Sequence, residues 1–257
     1  MDGLFGTTNQ SEFASTTSKT PGSSPLDSMP LSSAENTQPS SDSPNTLDDI
    51  LESRRTEVER IQERRRVEHK LKLWEQTRAP LRHRRRKWDD LIPHAGWEAA
   101  FARCAELVSG GGIVTLLGPR GTGKTQIGVE LCRKLCRDDR VARYYRSVEL
   151  GLRIRESYDK QGVSERDVIR DFVRPHLLVL DEIQERTASQ FEQRILTLII
   201  DLRYGHELPT VLIGNLADKA FLERVGDSIA DRLQEEGEII NCEWESFRGK
   251  RQPSPGG

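Results

Sequence analysis

The sequence predicts an α/β fold: a parallel sheet between two layers of helices (αβα), with a charged helix and a polar tail ahead of it. Three observations predict it. Short runs of leucine and β-branched residues at Gly110–Gly118, Leu177–Leu180 and Leu208–Asn215 read as strands buried on both faces. Segments with helical spacing of apolar residues lie between and beside them. The first run passes through a glycine-rich turn straight into such a helical segment, the order strand, turn, helix.

Residues 1–45 are dominated by Ser, Thr, Pro, Asn and Gln and carry few large apolar side chains. Burial there cannot offset the entropy of ordering, so a disordered tail is expected. No basic start leads into an apolar segment, and no run approaches the ~20 apolar residues of a membrane helix. A cytoplasmic protein without a membrane span is the expectation.

Residues 46–90 form a basic helical extension. The stretch LDDILESRRTEVERIQERRRVEHKLKLWEQ lacks Pro and Gly and is rich in helix formers, with Asn45 or Asp48 near its start and Pro80 beyond its end. Its apolar residues, Leu47, Ile50, Leu51, Val58, Ile61, Val67, Leu71 and Trp74, make a stripe interrupted by Arg54 and Arg65. Two readings stand: a weak coiled coil or partner-docking helix, and a solvated helix held by Glu/Arg pairs at i,i+4. Then comes RHRRRK, Arg82 to Lys87, followed by Trp88. Five fixed charges in six residues suit a phosphate backbone, and the aromatic suits base stacking. Solvated linker charge explains the run equally well.

Residues 91–251 hold the main domain, and 252–257 a closing tail. Within the domain, Gly118-Pro119-Arg120-Gly121-Thr122-Gly123-Lys124-Thr125 fits GxxxxGK[ST] between a strand and a helix, Lys124 to Cys136. Glycines let backbone N–H groups turn inward around phosphates at a helix N-terminus that favours negative charge. Lys124 adds a point charge for the β- and γ-phosphates, and the Thr125 hydroxyl suits Mg²⁺. In PHLLVLDEI, Asp181 and Glu182 emerge from the C-terminal end of the second strand, Asp181 as the metal partner and Glu182 as the group that orients and deprotonates water. The third run ends in Asn215, placed to reach the γ-phosphate or its water. These motifs together predict a P-loop nucleotide fold that takes ATP and Mg²⁺.

The net charge of −2 conceals the concentration of basic residues between Arg54 and Lys87. Cys104, Cys132, Cys136 and Cys242 show no CxxC spacing, which points to reduced, buried thiols rather than zinc or disulfides.

With Asp181-Glu182, Asn215, RVGDSIADRL (Arg224 to Leu233) and CEWESFRGKR (Cys242 to Arg251) in this order, the chain resembles the AAA+ ATPases of the DnaC/IstB-like group, the helicase loaders and transposition helper ATPases. The resemblance covers roughly Trp97 to Arg251. It implies Walker A at Lys124 and Thr125, Walker B at Asp181 and Glu182, sensor 1 at Asn215, an arginine finger at Arg232 and a sensor 2 arginine at Arg248. A finger offered to a neighbouring subunit would make hydrolysis depend on homo-oligomer assembly. The alternative for Arg232 is a surface ion pair with Asp227 or Asp231. After the strand at Ile239 to Cys242 too little chain follows for a helical lid, as is common in the group.

Four functions follow as expectations. A DnaC-type DNA replication protein would use ATP binding and hydrolysis to load or remodel a replicative helicase on DNA. An IstB-like helper would recruit a transposase to DNA. A nucleotide-gated adaptor would bind ATP and scarcely hydrolyse it, against which Glu182 argues. A small-molecule kinase is disfavoured by the Leu180-Asp181-Glu182 sequence and the missing lid.

Overall fold

The computed structural model describes residues 46–86, 94–159, 161–185 and 189–249. The expected tails at 1–45 and 252–257, and Lys87 and Trp88 of the basic run, lie outside these residues. Two units emerge, residues 1–50 and 51–257. Of the first, only Thr46–Ile50 is described, the opening of helix α1 (Leu47–Glu75). Asn45 lies outside the described residues, and the cap seen is Thr46 rather than Asp48. The Thr46 hydroxyl accepts from the Asp49 N–H (3.2 Å) while the Asp49 carboxylate accepts from the Thr46 N–H (3.2 Å) and hydroxyl (2.7 Å). This reciprocal box satisfies two orphan donors, which Asp48, one residue inside the helix, does not reach.

In the second unit five strands, β1 (Ile113–Leu117), β2 (Ala142–Arg146), β3 (Leu177–Asp181), β4 (Thr210–Ile213) and β5 (Gly237–Asn241), form one sheet in the order β2-β3-β4-β1-β5. Every pairing is parallel. β1, β3 and β4 are buried throughout, which explains their unbroken apolar sequences. β2 escapes such a reading because ARYYR carries two arginines, one of them exposed at the strand's end. One helical layer includes α3 (Ala95–Ser109) and α4 (Lys124–Arg137), which share a core with Val114, Leu116, Val179 and Ile213. Into the other core, with Leu117, Leu178, Leu180 and Leu212, pack α5 (Val148–Tyr158), α6 (Glu165–Val173), α7 (Gln190–Gly205), α8 (Asp218–Val225) and α9 (Asp227–Glu236). All four cysteines are free and buried, and burial pushes the Cys104 thiol up to about 12, so it stays protonated.

The last turn of α1 and the residues after it belong to this unit's core. Leu73 and Ala79 are buried beside α3 and α4, and the Thr77 carbonyl accepts from the Tyr144 N–H at 2.7 Å. Farther up α1, Val58, Ile61, Val67 and Leu71 are exposed, and Arg64 pairs with Glu68 at i,i+4 (3.0 Å).

One buried cation fixes the strand entries. Arg203 donates to the carbonyls of Phe172, Val173, Pro175, His176 and Pro209 and to the Thr210 hydroxyl. Burial pulls its pKa down to about 9, which still leaves it charged at neutrality. By tying the chain before β3 to the chain before β4, it sets the register that carries Asp181 and Asn215 to the opposite end of the sheet.

Candidate functional site

At the C-terminal ends of β1, β3 and β4 opens a cleft of about 380 Å³. Its walls include Arg120, Gly121, Gly123, Lys124, Thr125, Asp181, Glu182, Asn215 and Arg248. Of the site residues singled out from the sequence, Gly118, Pro119 and Thr122 belong to the same turn without lining the cleft, and all the others but one line it. Arg232 does not.

The glycine turn between β1 and α4 owes its shape to close backbone contacts. Gly118 has φ 131°, and a Cβ there would lie 2.6 Å from the Cys242 carbonyl oxygen. Gly123, at φ 85°, would press a Cβ to 2.7 Å from the Trp97 indole nitrogen. Three consecutive carbonyls of the turn are claimed from outside. Gly121 O accepts from the Phe247 N–H (2.9 Å), Thr122 O from Trp244 Nε1 (2.9 Å) and Gly123 O from Trp97 Nε1 (3.2 Å). Two further carbonyls, of Gly118 and Pro119, accept from Lys124 Nζ at 2.8 and 2.7 Å. With its carbonyls held in this way, the turn suits its N–H groups to an anion. Burial lowers the Lys124 pKa, while Cys242 and Asp181 oppose that shift.

The Thr125 hydroxyl donates to Asp181 Oδ2 at 2.7 Å, across 56 residues of sequence. An all-oxygen pair of one hydroxyl and one carboxylate fits a hard divalent cation such as Mg²⁺, which takes few protein ligands and completes its shell with water and phosphate. Sequence reasoning missed Tyr144, whose hydroxyl also donates to Asp181 Oδ2. Burial, then the charge of Asp181, raises the Tyr144 pKa, so the phenol remains a donor. A tyrosine inside an unrecognised strand gave no signal of this role.

Glu182 has φ 59°, a left-handed conformation rare for glutamate. Its N–H donates to Asp181 Oδ1 (2.7 Å) and its carbonyl accepts from the Ser147 hydroxyl (2.7 Å). Such strain, of order 1–3 kcal/mol, persists only where the surroundings impose it. Glu182 lines the cleft. Burial, then Glu185 and Asp181, raises the Glu182 pKa against the opposing charges of Arg146 and Arg120, the direction that suits a proton acceptor.

Asn215 lines the cleft, and its backbone N–H donates to Gln184 Oε1 at 3.0 Å. The Gln184 carbonyl in turn accepts from Arg224 (3.0 Å). Gln184 thus ties the turn after β3 to the end of β4 and to α8, a link that no spacing in the sequence announces. Arg232 on α9 forms an ion pair with Asp201 of α7 (3.0 Å), lies over the Tyr204 ring and donates to the Ser228 carbonyl. Its partner is neither Asp227 nor Asp231: five and one residues away on the same helix, they miss the three- or four-residue spacing that brings side chains together, while Asp201 faces it from α7.

The basic run holds a second surprise. Arg82, His83 and Arg86 line the same cleft. Arg84 turns instead onto the Trp74 ring, 5.3 Å from its centre. Burial lowers the His83 pKa despite a hydrogen bond to Gln126, which keeps the ring neutral near pH 7. Among the described residues no cluster of three His, Cys, Asp or Glu could hold a metal, and no helix is long and apolar enough to cross a membrane.

A family model described as IstB-like ATP binding protein matches residues 24–254. The replicative helicase loader DnaC of Escherichia coli K12 is 25% identical over 134 residues, 52% of this chain and 55% of that protein. The putative insertion sequence ATP-binding protein y4pL of Sinorhizobium fredii is 28% identical over 140 residues, 52% of this chain and 56% of its own length. The match thus spans little more than half the length of these curated relatives. A crystal structure of the DnaC helicase loader superposes with a TM-score of 0.52 at 16% identity, over 63% of this chain and 99% of that one, which shows the AAA+ fold.

Proposed function

Because the chain belongs to the IstB-like ATP-binding proteins, we propose that it is an ATPase of the DnaC helicase-loader type, using ATP binding and hydrolysis to load or remodel a partner protein on DNA. The observation that supports hydrolysis is the contact between Thr125 and Asp181 with Glu182 held at positive φ beside it. In this reading the N–H groups of Gly118 and of Arg120 to Thr125, with the side chains of Lys124 and Arg248, bind the triphosphate. Pro119, Arg120, Gly121, Thr122 and Gly123 shape the cradle. Mg²⁺, held by Thr125 and Asp181, would offset charge on the β- and γ-phosphates. Glu182 takes a proton from the attacking water, and Asn215 orients that water. Burial, then Glu185 and Asp181, raises the Glu182 pKa, the direction that strengthens it as a proton acceptor.

Arg232 serves a neighbouring copy, stabilising charge at that copy's γ-phosphate, so turnover rises on assembly. Leaving its pair with Asp201 and its stack on Tyr204 is the cost of that role. The decisive measurement is phosphate release by the full chain with and without single-stranded and duplex DNA. Turnover stimulated by DNA is expected, with Glu182→Gln reducing it at least about 100-fold while ATP binding survives. ATP binding with no turnover under any condition would replace the ATPase reading with a nucleotide-gated adaptor.

The match to an insertion sequence protein favours a second reading, a transposition helper. Capture with a replicative helicase against capture with a transposase, each in the presence of a slowly hydrolysed ATP analogue, separates the two.

A further inference from the structure

The six-residue run RHRRRK is the most basic feature of the sequence, and its composition alone suits a DNA backbone. Its placement points elsewhere. Helix α2 (Leu81–Arg84) and the residues after it lie against the start of α4, on the rim of the cleft that holds Lys124, Thr125 and Asp181.

The attachment is specific. His83 Nδ1 and Gln126 Oε1 are 2.8 Å apart, and Gln126 Nε2 donates to Glu130 Oε1 at 2.9 Å. Since the Gln126 amide nitrogen donates to Glu130 Oε1 and to the His83 carbonyl (3.4 Å), its oxygen is the acceptor offered to the ring, and His83 Nδ1 must carry the proton. Gln126 directly follows the Lys124-Thr125 pair, so this bond joins the run to the phosphate turn itself. Two helical turns farther on, Arg133 Nη2 donates to the carbonyls of Arg84 (3.1 Å) and Arg86 (2.8 Å). The guanidinium groups of Arg133 and Arg84 both lie over the Trp74 ring, 4.7 and 5.3 Å from its centre. With the backbone pinned and Arg84 engaged on Trp74, Arg82 and Arg86 are left facing the cleft.

Charge sharpens the point. Arg82 and Arg86 join Arg120, Lys124 and Arg248 on walls whose carboxylates are Asp181 and Glu182. Such an excess of fixed positive charge suits a polyanion inside the cleft. Both arginines remain exposed on that rim, open to an incoming ligand.

We propose that Arg82 and Arg86 bind the nucleotide, so that the basic run is a wall of the ATP site rather than a DNA contact. The proposal deepens the reading of the cleft as an ATP site and rests on it. It also connects nucleotide occupancy to α1, since α2 follows that helix by only a few residues.

The test uses the full chain. ATP affinity is measured by titration calorimetry, and DNA affinity by gel shift, for wild type, Lys124→Ala, the double variant R82A/R86A, and Arg85→Ala as a control in the same run that does not line the cleft. R82A/R86A is expected to bind ATP at least about tenfold more weakly, with Arg85→Ala within twofold of wild type and DNA affinity equal in the two. Equal ATP affinity in R82A/R86A and wild type, with Lys124→Ala inactive, overturns this proposal alone. A drop in DNA affinity without a drop in ATP affinity assigns the run to DNA. Wild type that binds no ATP overturns both the proposal and the reading of the cleft beneath it.

Discussion

Within one basic extension, two neighbouring stretches meet opposite fates. From Leu51 to Leu71, helix α1 keeps Val58, Ile61 and Leu71 about half exposed, at 51%, 43% and 56%. From Leu73 to Arg86 the chain is held by core packing, by two cations on Trp74, by the carbonyl of Thr77 and by the His83–Gln126 bond. Both stretches are rich in arginine. What separates them is whether the rest of the molecule supplies partners, which composition does not reveal.

The largest effect expected of this contrast is on stability. Leu73→Ala should cost about 2–4 kcal/mol, whereas Ile61→Ala should stay within about 0.5 kcal/mol. Thermal unfolding followed by circular dichroism measures both, and equal losses would erase the distinction. An intermediate effect concerns local opening. Limited trypsin digestion should cut first between Arg54 and Arg66, while Arg82–Arg86 stays protected until Arg133→Ala releases its two carbonyl bonds. Early cleavage in wild type at Arg82–Arg86 would mean that the anchoring is not effective.

The smallest effect is on pH dependence. Because the folded His83 pKa lies below its ordinary 6.5, the unfolded chain takes up the proton first as pH falls. Stability is therefore lost on acidification from about 6.5 downward, until the folded group also titrates. Between pH 7.5 and 5.5 wild type should lose more melting temperature than His83→Gln. An identical slope in both would remove His83 from the anchoring contacts.

Much of the fold was legible because β1, β3 and β4 are buried on both faces and must be apolar throughout. The phosphate turn was legible for a different reason: Gly118 and Gly123 stand where a Cβ would strike Cys242 and Trp97. Strand β2 stayed hidden because Arg143 and Arg146 interrupt it, and with it went Tyr144 and its bond to Asp181. Gln184 and Gln126 were equally silent, since an amide's role depends on what faces it across long separations. Arg54 and Arg65 interrupt the apolar stripe on α1, and nothing in that spacing announces that the last turn enters the core. RHRRRK is the more instructive case. Charge density describes an affinity for phosphate but not whose phosphate it is.

The indoles of Trp97 and Trp244 each grip a carbonyl of the phosphate turn, and the chain has only four tryptophans. Indole emission depends on hydrogen bonding and on nearby charge, so the molecule carries its own optical gauge of that turn. Any rearrangement that follows ligand arrival should register as a change in intrinsic fluorescence, without a dye and in real time.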